Sequence, residues 1–171
     1  MNRALVLLSG RALSINELKE KLKRRATTPS DVDRVIFKLK EAGYLNDGKL
    51  AESFAAARIE NQSFGRMRVL RDLRGRRVAP DIAQKAVSEA FRDVDEPSLI
   101  ERFLERKYRG KDLGVLLQDE RELASAYRKL HGAGFGTANA IKVLKRHAAK
   151  AELLEDQPEE PEDEEDNGER Q

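Results

Sequence analysis

Six arginines and one acid crowd residues 64–80, FGRMRVLRDLRGRRVAP. Arg66, Arg68, Arg71, Arg74, Arg76 and Arg77 carry the positive charge, and Asp72 alone opposes it. A guanidinium stays protonated and offers a planar fork of donors to a carboxylate or phosphate. Lysine would serve solubility as well, yet this stretch has none. The chemistry on offer is therefore anion recognition. Residue types for bond-making are sparse. With no cysteine, disulfides, thiolate zinc sites and cysteine nucleophiles are excluded. His131 and His147 are the only histidines, and neither has a nucleophile or metal partner nearby in sequence. Gly132, Gly134 and Gly136 in HGAGFGT have the composition of a phosphate loop. No strand pattern precedes them and no Lys-Ser/Thr pair follows, so they read as a turn. Glu120 and Glu122 read as solvated helix surface. The chain is expected not to be an enzyme and to need no metal or cofactor.

The arginines need an element to hold them. Val69, Leu70 and Leu73 share one helical face, and Arg68, Arg71 and Arg74 fan over the other. Gly75 is expected to stop this helix. Its surroundings are also basic, with Arg58, Lys85 and Arg92 near it and Lys19, Lys21, Lys23, Arg24 and Arg25 earlier. The rest of the chain before the tail reads as helix. Ser14 and Glu17 have capping-box spacing, as do Ser98 and Glu101. Val32, Val35, Ile36 and Leu39 form one stripe that Gly43 ends, and KLAESFAAARIENQ is rich in alanine, the best helix former. Pro80 suits a first helical turn. DERELASAYRKLHGAGF and TANAIKVLKRHAAK supply two more helices, and no run alternates as a strand.

Internal repetition organises these helices. An offset of 51 carries Leu18 onto Val69, Leu22 onto Leu73, Val32 onto Ala83 and Ile36 onto Val87. An offset of 57 then carries Val69 onto Ala126, Leu73 onto Leu130, Val78 onto Phe135, Ala83 onto Ala140 and Val87 onto Leu144. Leu50 and Phe54 match Leu99 and Phe103 in the helix before each pair. The expected fold is all-α, with three tandem three-helix units at residues 1–45, 46–95 and 96–150 stacked into an elongated curved body. Leu22, Leu73 and Leu130 are expected in equivalent buried places, with a longer loop near RGKDLG in the third unit.

The net charge of +2 hides segregation. Residues 152–171 hold eleven acids and one arginine, whereas residues 1–151 hold 32 basic and 20 acidic residues. A basic body with an acidic tail points to an anionic partner. The tail, residues 151–171, is expected to be disordered, because it has too little apolar surface to offset its ordering entropy. The run ALVLL is too short for a signal peptide or a membrane span, and a cytoplasmic location without membrane contact fits.

The order ALVLLSGRALSINELKEKL, LKEAGYLNDGKLAESFAAARI, FGRMRVLRDLRGRRVAPDI resembles the RecX family of recombination regulators across residues 4 to 147. Gly43, Tyr44, Leu45, Asn46 and Asp47, followed by Ala51, Phe54 and Arg58, match the family's Gly-aromatic-Leu-Asp-Asp turn and its Ala-rich helix, with Asn46 replacing the first Asp. Gly65, Arg68 and Leu73 match its next feature. In the third unit Gly134 and Phe135 remain, but His131, Gly132 and Ala133 stand where arginines are usual. The resemblance implies a monomeric regulator that binds the RecA–DNA filament and modulates, by inhibition, RecA's recombination and ATP-driven reactions. Its partners would be RecA and the single- or double-stranded DNA within or beside it. The residues expected at that surface are Arg58, Arg66, Arg68, Arg71, Arg74, Arg76 and Arg77. An independent helix-turn-helix DNA-binding protein is the alternative, with Gln84 and Asn139 as base-reading candidates.

Overall fold

The computed structural model describes residues 1–24, 28–148 and 151. The expected disordered tail therefore lies outside the described residues apart from Ala151, which is buried, and Arg25 lies outside them too. The elements are α1 (Asn2–Gly10), α2 (Ile15–Lys23), α3 (Pro29–Glu41), α4 (Asp47–Gln62), α5 (Arg66–Gly75), α6 (Pro80–Ala90), α7 (Glu96–Lys107), α8 (Leu113–Leu116), α9 (Glu120–Gly132) and α10 (Thr137–His147). No strand occurs among the described residues.

Local chemistry starts and stops these helices. Ser14 caps α2 through the full reciprocal box with Glu17. Asn46 caps α4 by accepting from the Lys49 N–H, a role its amide oxygen fills as a carboxylate would. Pro80 opens α6. The second box proved different: Asp95 caps α7 by accepting from the Ser98 N–H. Asp95 sits just before Glu96-Pro97, and proline is favoured in a first turn, so the helix begins before Ser98. Glu101 is thereby free to meet His147 and Arg146 on α10. Gly43, at φ +75, ends α3 in the left-handed conformation. Gly75 does not stop α5; it lies in its last turn, and the left-handed residue is Arg77 at φ 56. Val78 N–H bonds to Leu73 O and Arg77 N–H to Arg74 O, which is the Schellman closure with arginine where glycine is usual. Replacing Arg77 by glycine is expected to raise stability by about 0.5–1 kcal/mol, since the left-handed backbone costs a side-chain-bearing residue that much or more. Thermal melting checks it, and a lower melting point would contradict it.

Packing follows the repeat. In the second and third units the first helix packs on the third, α4 on α6 and α7 on α10, whereas in the first unit α2 packs chiefly on α3. Leu18, Val69 and Ala126 are fully buried at equivalent places, as are Leu73 and Leu130. Leu22 is only half-buried against its core, because α2 ends one residue later at Lys23. One hydrophobic cluster runs from Ala4 to Leu45 and a second from Ala51 to Ala151. The helices of the second and third units thus share a continuous core, while the first keeps its own. The loop near RGKDLG contains the short α8, capped by Asp112, and delivers Leu117 to the larger core.

Two joints connect the units, and they use equivalent positions. The start of α2 meets the turn after α5: Ser14 Oγ donates to Arg76 O at 2.7 Å and Asn16 Nδ2 to Arg77 O at 3.0 Å. The start of α5 meets the turn after α9: Gly65 N–H donates to Ala133 O at 2.8 Å and Met67 N–H to Gly134 O at 3.2 Å. The offset of 51 carries Ser14 onto Gly65 and Asn16 onto Met67; the offset of 57 carries Arg76 onto Ala133 and Arg77 onto Gly134. Each joint places carbonyls from a helix end against a helix start, where free N–H groups await partners. At these matched positions side chains donate in the first joint and the bare backbone in the second.

Candidate partner-binding surface

The arginines divide into an anchored set and a free set. Arg58 on α4 lies 4.6 Å from the Phe54 ring centroid and 5.9 Å from that of Phe64. Its Nε is 3.3 Å from Asp72 Oδ2. That contact is an ion pair without hydrogen-bond geometry, whereas Asp72 accepts a hydrogen bond from Arg68 Nε at 3.0 Å, so the one acid of the basic stretch faces two arginines. Arg68 reaches further, donating to Gly132 O at 3.2 Å across the second joint and lying 5.1 Å from the Phe64 ring centre. Arg66 covers Phe91 at 5.2 Å. Arg76 crosses the first joint: it donates to Ala12 O at 2.6 Å and to Glu17 Oε2 at 3.2 Å, and lies 5.4 Å from the Phe54 ring centre. These four are half-buried; Arg58 and Arg66 brace the second unit internally, while Arg68 and Arg76 tie it to its neighbours. Arg71, Arg74 and Arg77 are exposed. Arg71 and Arg74 make no side-chain hydrogen bond or ion pair with a described residue, and Arg77 has only a 3.8 Å approach to Glu20. An ion pair that exposed contributes little. The free set runs along the outer face of α5 and past its end.

The two carboxylates of the first joint titrate in opposite directions. Burial pulls Glu17 upward, but bonds from Arg11, the Ser14 N–H and Arg76 outweigh it and hold the carboxyl below its usual range. Asp47 is buried and accepts from the Ile15 N–H at 2.9 Å; burial raises it, against the lowering effect of that bond and of Lys40. A lowered folded value means Glu17 stabilises the joint above its unfolded value and ceases to as pH falls through the folded one. Asp47 has the opposite sign, its contribution fading as pH rises through its raised value. Comparing Glu17→Gln with the unaltered chain isolates the first effect: the variant is expected to melt lower at neutral pH, with the gap closing below the carboxylate range. A gap independent of pH would contradict it.

Other candidate chemistry is quiet. His131 is exposed, and His147 Nε2 lies 2.9 Å from Glu101 Oε2 at a helix end. No metal-holding cluster of histidine and acids occurs among the described residues, and no helix among them is long and apolar enough to cross a membrane. Asn139 is bound to Glu96, whereas Gln84 is exposed.

Sequence comparisons agree with this architecture. The profile of the first three-helix domain of RecX matches residues 1–39, and that of the second matches residues 46–87. The regulatory protein RecX of Trichlorobacter lovleyi is 32% identical over 132 residues, covering 77% of this chain and 84% of that one. The protein of the same name from Halorhodospira halophila is 33% identical over 139 residues, covering 81% of each. The crystal structure of RecX from Lactobacillus salivarius superposes with a TM-score of 0.65 at 19% identity, covering 85% of this chain and 92% of that one, which supports the fold. Helices in this order, joints at repeated positions and relatives at this identity place the chain in the RecX family of regulatory proteins.

Proposed function

We propose that this chain binds the RecA–DNA filament as a monomer and restrains RecA's recombination and ATP-driven reactions, itself performing no chemistry. The observation that carries the reading is the free set, Arg71, Arg74 and Arg77. These are fixed charges on α5 and just past its end, left without strong partners while four neighbouring arginines are consumed internally. Tandem units bounded near 45/46 and 95/96 can meet successive protomers, and modest contacts then sum through avidity. An independent helix-turn-helix reader is less well supported, since Asn139 is tied to Glu96 and arginines on phosphates position without specifying sequence. Co-sedimentation with RecA filaments beside bare DNA tests the reading. RecA-dependent binding is expected; equal binding to bare DNA would favour the alternative.

A further inference from the structure

The unit joints form two grooves whose apolar floors come from matched residues. The first, of about 470 Å³, is lined by Leu13, Tyr44, Lys49, Leu50, Phe54 and Arg76 among others. The second, of about 220 Å³, is lined by Gln62, Phe64, Phe103, Arg106 and Lys107. Phe54 and Phe103 are the matched residues of the first helices, and the offset of 51 carries Leu13 onto Phe64. Each groove is thus an apolar floor between the first helix of one unit and the segment before the second helix of the preceding unit.

Positive charge lies in both grooves, although not at matched positions: Lys49 is in the first turn of α4 and Lys107 ends α7. Each groove holds one anchored arginine: Arg76 on Glu17 and Ala12 O, Arg106 on Ser63 Oγ and Asn61 O. Each also holds one exposed lysine, Lys49 or Lys107, with no side-chain partner among the described residues. No carboxylate lines either groove, although acids nearly equal bases in the chain, 31 to 33. The rings are poorly placed to stack on nucleobases. Phe54 carries guanidinium groups at 4.6 and 5.4 Å, and Phe103 packs edge-on against Phe135 at 5.8 Å. A floor for an apolar side chain beside a cation for a carboxylate remains.

We infer that the two grooves, alike in their apolar floors and each with a lysine unpaired among the described residues, are docking sites for one kind of acidic–apolar protein segment, presented twice by neighbouring protomers of a repeating partner. This rests on the filament reading above and adds what each protomer contributes. A short peptide, acetyl-Glu-Leu-Phe-Glu-amide, titrated into the full chain without RecA tests the grooves by amide NMR shifts. Filament co-sedimentation of Lys49→Glu, Lys107→Glu and the double variant tests their use. The peptide is expected to move amides around Phe54 and around Phe103, and each variant to silence its own groove. Each single variant should weaken filament binding about tenfold and the double more. Peptide shifts at both grooves in a chain that does not bind filaments would sink the RecA reading and leave the grooves as sites for another acidic protein. The inference is overturned if the peptide moves neither groove, or if the variants bind filaments like the unaltered chain. It also falls if a single-stranded oligonucleotide displaces the peptide, which would make these nucleic-acid sites. A large gain in peptide affinity on deleting residues 152–171 would instead assign the grooves to the chain's own acidic tail.

Discussion

Gly134→Ala is expected to part the second and third units and to lower stability by about 3 kcal/mol or more. A Cβ at Gly134 would lie 2.1 Å from the Arg68 backbone nitrogen and 2.6 Å from Arg68 Cβ. Neither atom belongs to a flexible side-chain end, so the backbones must separate. Gly134 also sits at φ +84, which a side chain resists. Separation would cost the bonds from Gly65 and Met67 N–H and open a core the two units share. Gly65 faces the same approach, its Cβ falling 2.3 Å from Gly134 O. Gly132→Ala is the control: nothing lies within 4 Å of its Cβ, and alanine favours the helix it ends. Melting followed by circular dichroism reads both. A Gly134→Ala variant as stable as the unaltered chain would mean that this backbone contact does not hold the joint.

Removing the free arginines should have a large effect of another kind. Arg71, Arg74 and Arg77 changed together to alanine are expected to weaken filament binding about 10- to 100-fold while melting changes little. Arg76→Ala should do the reverse in stability. It removes the one partner of Glu17 that comes from the second unit, the shorter of the two bonds to Ala12 O and one of the two guanidinium groups over Phe54, at a cost of about 1–3 kcal/mol. Unchanged binding by the triple variant would make the free face mere solvated surface. A collapsed fold would mean that these arginines are structural after all.

The helix ends that local chemistry decides were legible in the sequence. Ser14 with Glu17, Gly43 and Pro80 act within a few residues, so spacing alone exposes them. The offsets of 51 and 57 located most of the core, because a repeated unit must bury the same positions; Leu22 departs because its helix ends beside it. The joints were not legible. Gly134 reads as a turn residue, and only the approach of Arg68 from another unit shows why a side chain is excluded there. The same limit applies to the arginines. Arg68 is i, i+4 to Asp72 and Arg58 is i, i+4 to Phe54, so part of the anchoring is written locally. Arg76, however, meets Glu17 from 59 positions away, and a helical wheel cannot separate it from Arg71. Asp95 displaced Ser98 as a cap because two residues three positions apart offer the same chemistry and the position of Pro97 decides between them.

The most direct test of the central claim is a titration of RecA's DNA-dependent ATP hydrolysis with the full chain, alongside the Arg71, Arg74 and Arg77 triple alanine variant. The rate is expected to fall as the unaltered chain is added, with the variant needing about tenfold more protein or greater for the same effect. Superimposable curves, or a rate that the unaltered chain leaves untouched, would contradict regulation through the free arginine face.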